Sequence, residues 1–220
     1  MKYDISIRIT FPEDITNILK KEKQRFITEY GSSYKSEPHI TLYLDSYTEE
    51  GYPKLLVQLR ELHIKPFTIS LLAPKIRSEE DRHRNLYVMD VSNKDALREL
   101  HKQITEIANP YRSPFIREKK WEELELQGIH TDDTREQFEA LNSPEEAFDP
   151  HITLGEIDFD KPQADIAQSQ KNIAVLEKRE ITVSTIVVFW YGKEDGDEKA
   201  HLIEEVMIPF QLGLHPDCTG

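Results

Sequence analysis

The pentapeptide Pro-His-Ile-Thr-Leu occurs twice in this chain, at residues 38–42 and again at 150–154. Each copy carries a histidine with a threonine two residues on. Imidazole titrates near neutrality, so of two histidines one can be neutral and take a proton from an attacking oxygen, while the other, charged, protonates a departing alkoxide. That is what phosphoester cleavage needs, and it predicts a bell-shaped pH profile. A threonine hydroxyl nearby can donate a hydrogen bond to a non-bridging phosphoryl oxygen as the phosphorus becomes five-coordinate. No metal is required for such a step. A single His-x-Thr carries little information; the duplicate reproduces residue type, spacing and flanking proline.

Other chemistries lack their residues. The remaining histidines, His63, His83, His101, His130, His201 and His215, show no metal-ligand spacing, and no cysteine lies near either motif. A zinc site therefore has no obvious third and fourth ligands. There is no Gly-x-Ser-x-Gly elbow, no phosphate-binding glycine loop and no Gly-x-Gly-x-x-Gly. Neither a metal nor a cofactor is expected.

Strand side chains alternate between faces, which sets His39, Thr41 and Tyr43 on one side and Ile40, Leu42 and Leu44 on the other. The second copy sets His151, Thr153 and Gly155 against Ile152 and Leu154. The apolar faces point into a core and the His/Thr faces line a groove. Periodicity predicts strands at 3–11, 39–44 and 67–76 with helices at 12–30 and 53–62 between them. The order then begins again: strand 85–91, helix 95–108, strand 151–157, a helix around 163–176, and strands 181–191 and 201–210. Proline and acids belong in the first turn of the 12–30 helix, and Gly31-Ser32-Ser33 breaks it. Strands alternating with helices and an approximate repeat point to an α+β or α/β fold of two similar lobes.

The repeat is out of step. Matching Ile5 with Leu86 gives an offset of 81 residues, whereas the two motif histidines are 112 apart. The surplus falls between about 109 and 148, and a loop of that length feeding the second motif reads as a lid or specificity element, or as surface decoration. Trp121 and Phe148, in or beside it, are stacking candidates, with core or lid packing as the plainer role. Tyr43 is another, on the His39 face.

The bulk composition bounds the partners. Lys and Arg number 28 against 41 Asp and Glu, a net charge of −13, which opposes long polyanions because non-specific nucleic-acid affinity comes from basic side chains. A small nucleotide or short oligonucleotide suits this chain better than long nucleic acid. Two basic runs, Arg77/Arg82/Arg84 and Arg112/Arg117/Lys119/Lys120, have acidic neighbours and read as solvated, salt-bridged surface, although Arg112 and Arg117 could clamp a terminal phosphate. No apolar run is long enough to span a membrane. The N-terminus alternates polar and apolar residues, unlike a secretory signal, and the one cysteine, Cys218, favours a reducing cytoplasm. A cytoplasmic monomer with no membrane association is expected.

Two His-apolar-Thr-apolar strands about a hundred residues apart resemble the two-histidine (2H) phosphoesterase superfamily, which includes the 2'-5' RNA ligase-like proteins and cyclic phosphodiesterases. Residues 39–42 and 151–154 carry the specific part of the likeness, and the order of elements follows it through most of the chain. The resemblance implies an α+β, bilobal fold: two pseudo-symmetric lobes, each a mainly antiparallel sheet packed by helices, with the motif strands facing a central cleft. Residues 1–220 would form one domain, the first repeat at about 1–80 and the second at about 81–220. It also implies metal-independent hydrolysis of 2',3'-cyclic phosphates or 2'-5' linkages, with His39 and His151 as acid and base and Thr41 and Thr153 holding the phosphate; Tyr43 and Phe148 join them as substrate-binding candidates from their own positions, not from the resemblance. The rivals are an RNA-end enzyme, either a 2'-5' RNA ligase or a 3' exonuclease, and a non-catalytic nucleotide-binding regulatory protein.

Overall fold

The computed structural model describes residues 2–32, 34–62, 64–79, 83–114, 148–161, 164–194 and 197–207. The element order is β1 (Lys2–Ile9), α1 (Glu13–Tyr30), β2 (Ile40–Thr48), α2 (Gly51–Arg60), β3 (Phe67–Glu79), β4 (Arg84–Val91), α3 (Lys94–Ala108), β5 (His151–Asp158), α4 (Ile166–Ile173), β6 (Glu180–Val183), β7 (Thr185–Glu194) and β8 (Asp197–Met207). Of the long expected insertion, 115–147 lies outside the described residues, and with it Arg117, Lys119, Lys120, Trp121 and His130. So do His63, Arg82, His215 and Cys218.

Local sequence accounts for the helix ends. Glu13 and Asp14 occupy the first turn of α1, and Gly31 closes it at φ +66°, its N–H reaching back to the Ile27 carbonyl. Glycine adopts that left-handed conformation without the clash a β-carbon would bring. The buried stripe of α1 runs through Ile15, Leu19 and Phe26, and that of α3 through Leu97, Leu100, Ile104 and Ala108. Burial of each large aliphatic side chain is worth roughly 1.5–3 kcal/mol. At α4 the Asp165 side chain caps the first turn by accepting from the Gln168 N–H.

All eight strands join one antiparallel sheet in the order β6-β3-β4-β5-β2-β1-β7-β8. The stretch expected as a single strand over 181–191 is two strands, β6 and β7, separated by Ser184 alone. In a flat sheet the six strand spacings between them would span roughly 29 Å. One residue cannot cover that distance, so the sheet curls until its β6 edge stands beside β7. The local signal for the break is slight: Ser184 and Thr185, two polar residues in succession between Val183 and Ile186.

The sheet divides into two four-stranded halves, β8-β7-β1-β2 and β5-β4-β3-β6, joined at its centre by the two motif strands. The helices cross between the halves. Helix α1, which follows β1, packs on β5, while α3, which follows β4, packs on β2. Each βαβ unit therefore covers the motif strand of the other half, and one hydrophobic cluster runs through both. No described helix is long and apolar enough to cross a membrane.

Candidate active site

The seam between the halves is an antiparallel pairing with one registered pair, Ile40 with Ile152. Antiparallel strands run in opposite directions, so from this pair His39 lies toward Thr153 and Thr41 toward His151. Ile40 and Ile152 point into the core with no exposed surface. The four polar residues are thereby presented together on the other face. They line one cavity of about 210 Å³ with Tyr34, Phe148 and Asp149. Diagonal neighbours across such a pair stand about 7–8 Å apart, room for a phosphoryl group between two imidazoles.

Both motif strands carry a β-bulge at the same motif position. On β2, Arg8 pairs with Thr41 and Ile7 with Tyr43, leaving Leu42 as the extra residue. On β5, Val88 pairs with Thr153 and Tyr87 with Gly155, leaving Leu154. A bulge inserts one residue and reverses the alternation beyond it. This corrects the expected faces: Tyr43 and Gly155 turn away from the His/Thr side toward the helices. Tyr43 is buried, and its hydroxyl donates to Asn109 Oδ1 at 3.1 Å, at the end of α3. Gly155 lies beneath Phe26 of α1, whose ring would stand 2.8 Å from an added β-carbon.

The crossing helices also supply a donor beside each bulge. His101 of α3 makes a 2.6 Å hydrogen bond to the Leu42 carbonyl, and Lys23 of α1 donates to the Thr153 carbonyl at 3.0 Å. Phe148 stacks on the His101 ring at 4.1 Å, nearly parallel, and also lines the cavity. It is both wall and packing. Arg112 lies within 3.6 Å of Asp45 and is not among the cavity-lining residues.

The two histidines are held alike. His39 Nδ1 is 2.6 Å from the Glu37 carbonyl, and His151 Nδ1 is 2.7 Å from that of Asp149. A carbonyl only accepts, so Nδ1 carries the proton in both rings, and Nε2 is the nitrogen left for chemistry. At His39 that nitrogen accepts from the Thr41 hydroxyl at 3.0 Å. Arg77 Nη1 lies 3.4 Å from His151 Nδ1, but two donors cannot bond each other; the guanidinium acts there as a neighbouring charge.

Their electrostatic settings differ. His39 is 7% exposed, and burial together with the charges of Arg8 and Lys23 depresses its pKa to about 3. It is neutral throughout the physiological range. His151 is also lowered, first by burial and then by Arg77, but the carboxylates of Asp149 and Asp90 oppose the shift. Asp149 pairs with Arg77 and, at 2.7 Å, with Lys94. Arg84, by contrast, is ion-paired as expected, to Glu79 and Glu156, but it is partly buried rather than solvated.

Several of these residues escape a reading of the sequence. Glu37 and Asp149 had a signal, since an acid precedes proline in both copies of the motif. Lys23 had one too: it interrupts the apolar stripe of α1 between Leu19 and Phe26. Arg8 had none, because a charged residue alternating with Ile7 and Ile9 looks solvent-facing. It is in fact 2% exposed, its guanidinium 4.7 Å from the Phe189 ring centre and 5.0 Å from that of Tyr191. Tyr34 is a lone aromatic in a loop. No three His, Cys, Asp or Glu side chains converge as metal ligands among the described residues.

This site and sheet place the chain among proteins in which two like halves share one cleft. The profile of the 2'-5' RNA ligase superfamily matches residues 19–195, and the chain belongs to that superfamily of two-histidine phosphoesterases. No curated protein matches its sequence. Among solved structures, TT0787 of Thermus thermophilus superposes with a TM-score of 0.60 at 14% identity, covering 94% of this chain and 99% of that one. LigT of E. coli complexed with 3'-AMP gives 0.55 at 13% identity, covering 94% and 98%. The same protein complexed with phosphate gives 0.58 at 11%, again covering 94% and 98%. The shared feature is the fold.

Proposed function

We propose that this protein is a phosphodiesterase that hydrolyses 2',3'-cyclic phosphate or 2'-5' phosphodiester bonds in nucleotides or short oligonucleotides, with His39 as the base and His151 as the acid. The observation that carries the reading is the equivalence of the two half-sites. Each presents an Nε2 and a threonine hydroxyl to one cavity, with Nδ1 anchored on the carbonyl two residues before the histidine.

The assignment of roles follows from the asymmetry. His39, buried beside Arg8 and Lys23, stays neutral and takes a proton from water at Nε2. The water oxygen attacks phosphorus as the bond to one ribose oxygen breaks. His151, nearer to carboxylates, gives the Nε2 proton to that leaving oxygen, and the product is a nucleoside monophosphate. Thr41 and Thr153 donate to the non-bridging oxygens while charge accumulates on them. Both proton transfers are carried by imidazole, so the step needs no metal. Although the whole chain is acidic, Arg8, Lys23, Arg77 and Lys94 border the site, which suits a compact anion. LigT complexed with 3'-AMP and with ATP supports a nucleotide substrate for the fold.

The test is incubation of the purified protein, in EDTA, with 2',3'-cyclic nucleotides and 2'-5' oligoadenylate. Monophosphates or shortened oligomers are the expected products. Joined RNA ends would indicate a ligase instead, and tight nucleotide binding without products a regulatory protein.

A further inference from the structure

The cavity has a third wall that the two motifs do not explain. Tyr34, in the loop between α1 and β2, lines it beside Thr153, and its hydroxyl is directed at the side chains of Thr153 and Ser36. Lys23 stands behind the ring, its ammonium 3.8 Å from the ring centroid. Lys23 is 4% exposed, and its ammonium meets the Tyr34 ring and the Thr153 carbonyl. Among the described residues no carboxylate lies within ion-pair distance of it, and Glu37, whose field reaches it, is bound to Lys20 at 2.7 Å. Burial lowers the Lys23 pKa to about 7. A buried ammonium without a counter-ion is costly, and an anion in the adjoining cavity would offset the cost and favour the charged form.

We propose that Tyr34 and Lys23 form a third arm of the phosphoryl site. In it the Tyr34 hydroxyl contacts a non-bridging oxygen, and Lys23 is a positioning residue that fixes the ring and adds positive charge behind it. The inference rests on the phosphodiesterase reading for its substrate, but the arm itself is a claim about anion binding. Burial raises the Tyr34 pKa, which keeps the phenol a donor. Lys23 also ties α1 to β5, so its charge must be separated from its tether.

Titration calorimetry with inorganic phosphate on wild type, Tyr34→Phe and Lys23→Gln makes the separation. Glutamine keeps a donor for the Thr153 carbonyl and loses the charge. Each variant is expected to bind phosphate about tenfold to hundredfold more weakly, the range for a hydrogen bond to a charged group, with its thermal midpoint little changed. In turnover of a 2',3'-cyclic nucleotide, Tyr34→Phe should raise KM more than it lowers kcat. Wild-type phosphate affinity in both variants overturns the arm. If Lys23→Gln melts early and Tyr34→Phe binds normally, Lys23 is a tether only and the arm is again overturned. Wild type that binds phosphate through this arm yet cleaves no diester would sink the phosphodiesterase reading and leave the arm standing.

Discussion

Ile40 pairs with Ile152 at the seam of the curled sheet, and this one contact puts two motifs 112 residues apart in sequence onto the same surface. Its consequence is that each histidine lies across from the threonine of the other motif, while the two histidines are diagonal neighbours. A phosphoryl group set between the rings can then be flanked by hydroxyls from both halves.

Replacing either histidine should cost what a general acid or base contributes. His39→Ala and His151→Ala are each expected to lower kcat for a 2',3'-cyclic nucleotide by roughly 10²–10⁴-fold. Thr41→Ala and Thr153→Ala should each lower it by about 10²-fold, as for one oxyanion donor. Chromatographic product assays on the four variants check this. Turnover that survives the double histidine variant would remove the proposed mechanism.

The pH profile should lie on the acid side. Productive free enzyme needs His39 neutral and His151 charged; the first holds above about pH 3 and the second only below a pKa lowered from 6.5. The kcat/KM maximum is therefore expected below pH 6.5, falling as pH rises through neutrality. A maximum above pH 7 would remove the assigned roles.

Asp149→Asn tests the charge beside the acid. The carboxylate raises the His151 pKa while Arg77 lowers it. Its loss should move the falling limb of kcat/KM to still lower pH, with the backbone carbonyl that holds Nδ1 left in place. A limb that stays fixed, measured over the same pH range, would show that the carboxylate does not act on His151.

Burial of neutral His39 should appear in stability. Its folded pKa of about 3 lies below the unfolded value near 6.5, so the unfolded chain binds more protons between those limits. Stability falls as pH drops through that window, by up to about 1.4 kcal/mol per pH unit from this group. Denaturant midpoints of wild type and His39→Asn between pH 4 and 7 should show a shallower slope in the variant. Equal slopes would contradict it.

Gly155→Ala should destabilise the second motif strand. An added β-carbon would meet Phe26 at 2.8 Å, and overpacking of this kind costs about 1–3 kcal/mol. Urea unfolding measures it, and an unchanged midpoint would mean that α1 can move off β5 freely.

Much of this was legible in the chain itself. Duplication of Pro-His-Ile-Thr-Leu exposed the paired site, and period-2 and period-3.6 patterns located most strands and helices, because those patterns are set by burial on one side of each element. Tyr43 and Gly155 show where such reading ends. Alternation assumes an unbroken ladder, and the bulges at Leu42 and Leu154 depend on the partner strands β1 and β4.

Sequence alone determined the residue types, their spacing and the half-buried elements that carry them, since these follow from local backbone geometry and from which side chains avoid water. Tertiary structure decided the rest: the seam at Ile40 and Ile152, the crossing of α1 and α3, the burial of Arg8 and Lys23, and the unequal settings of His39 and His151. Those depend on groups distant along the chain, and both desolvation and Coulomb interaction act through space, where no sequence interval records them.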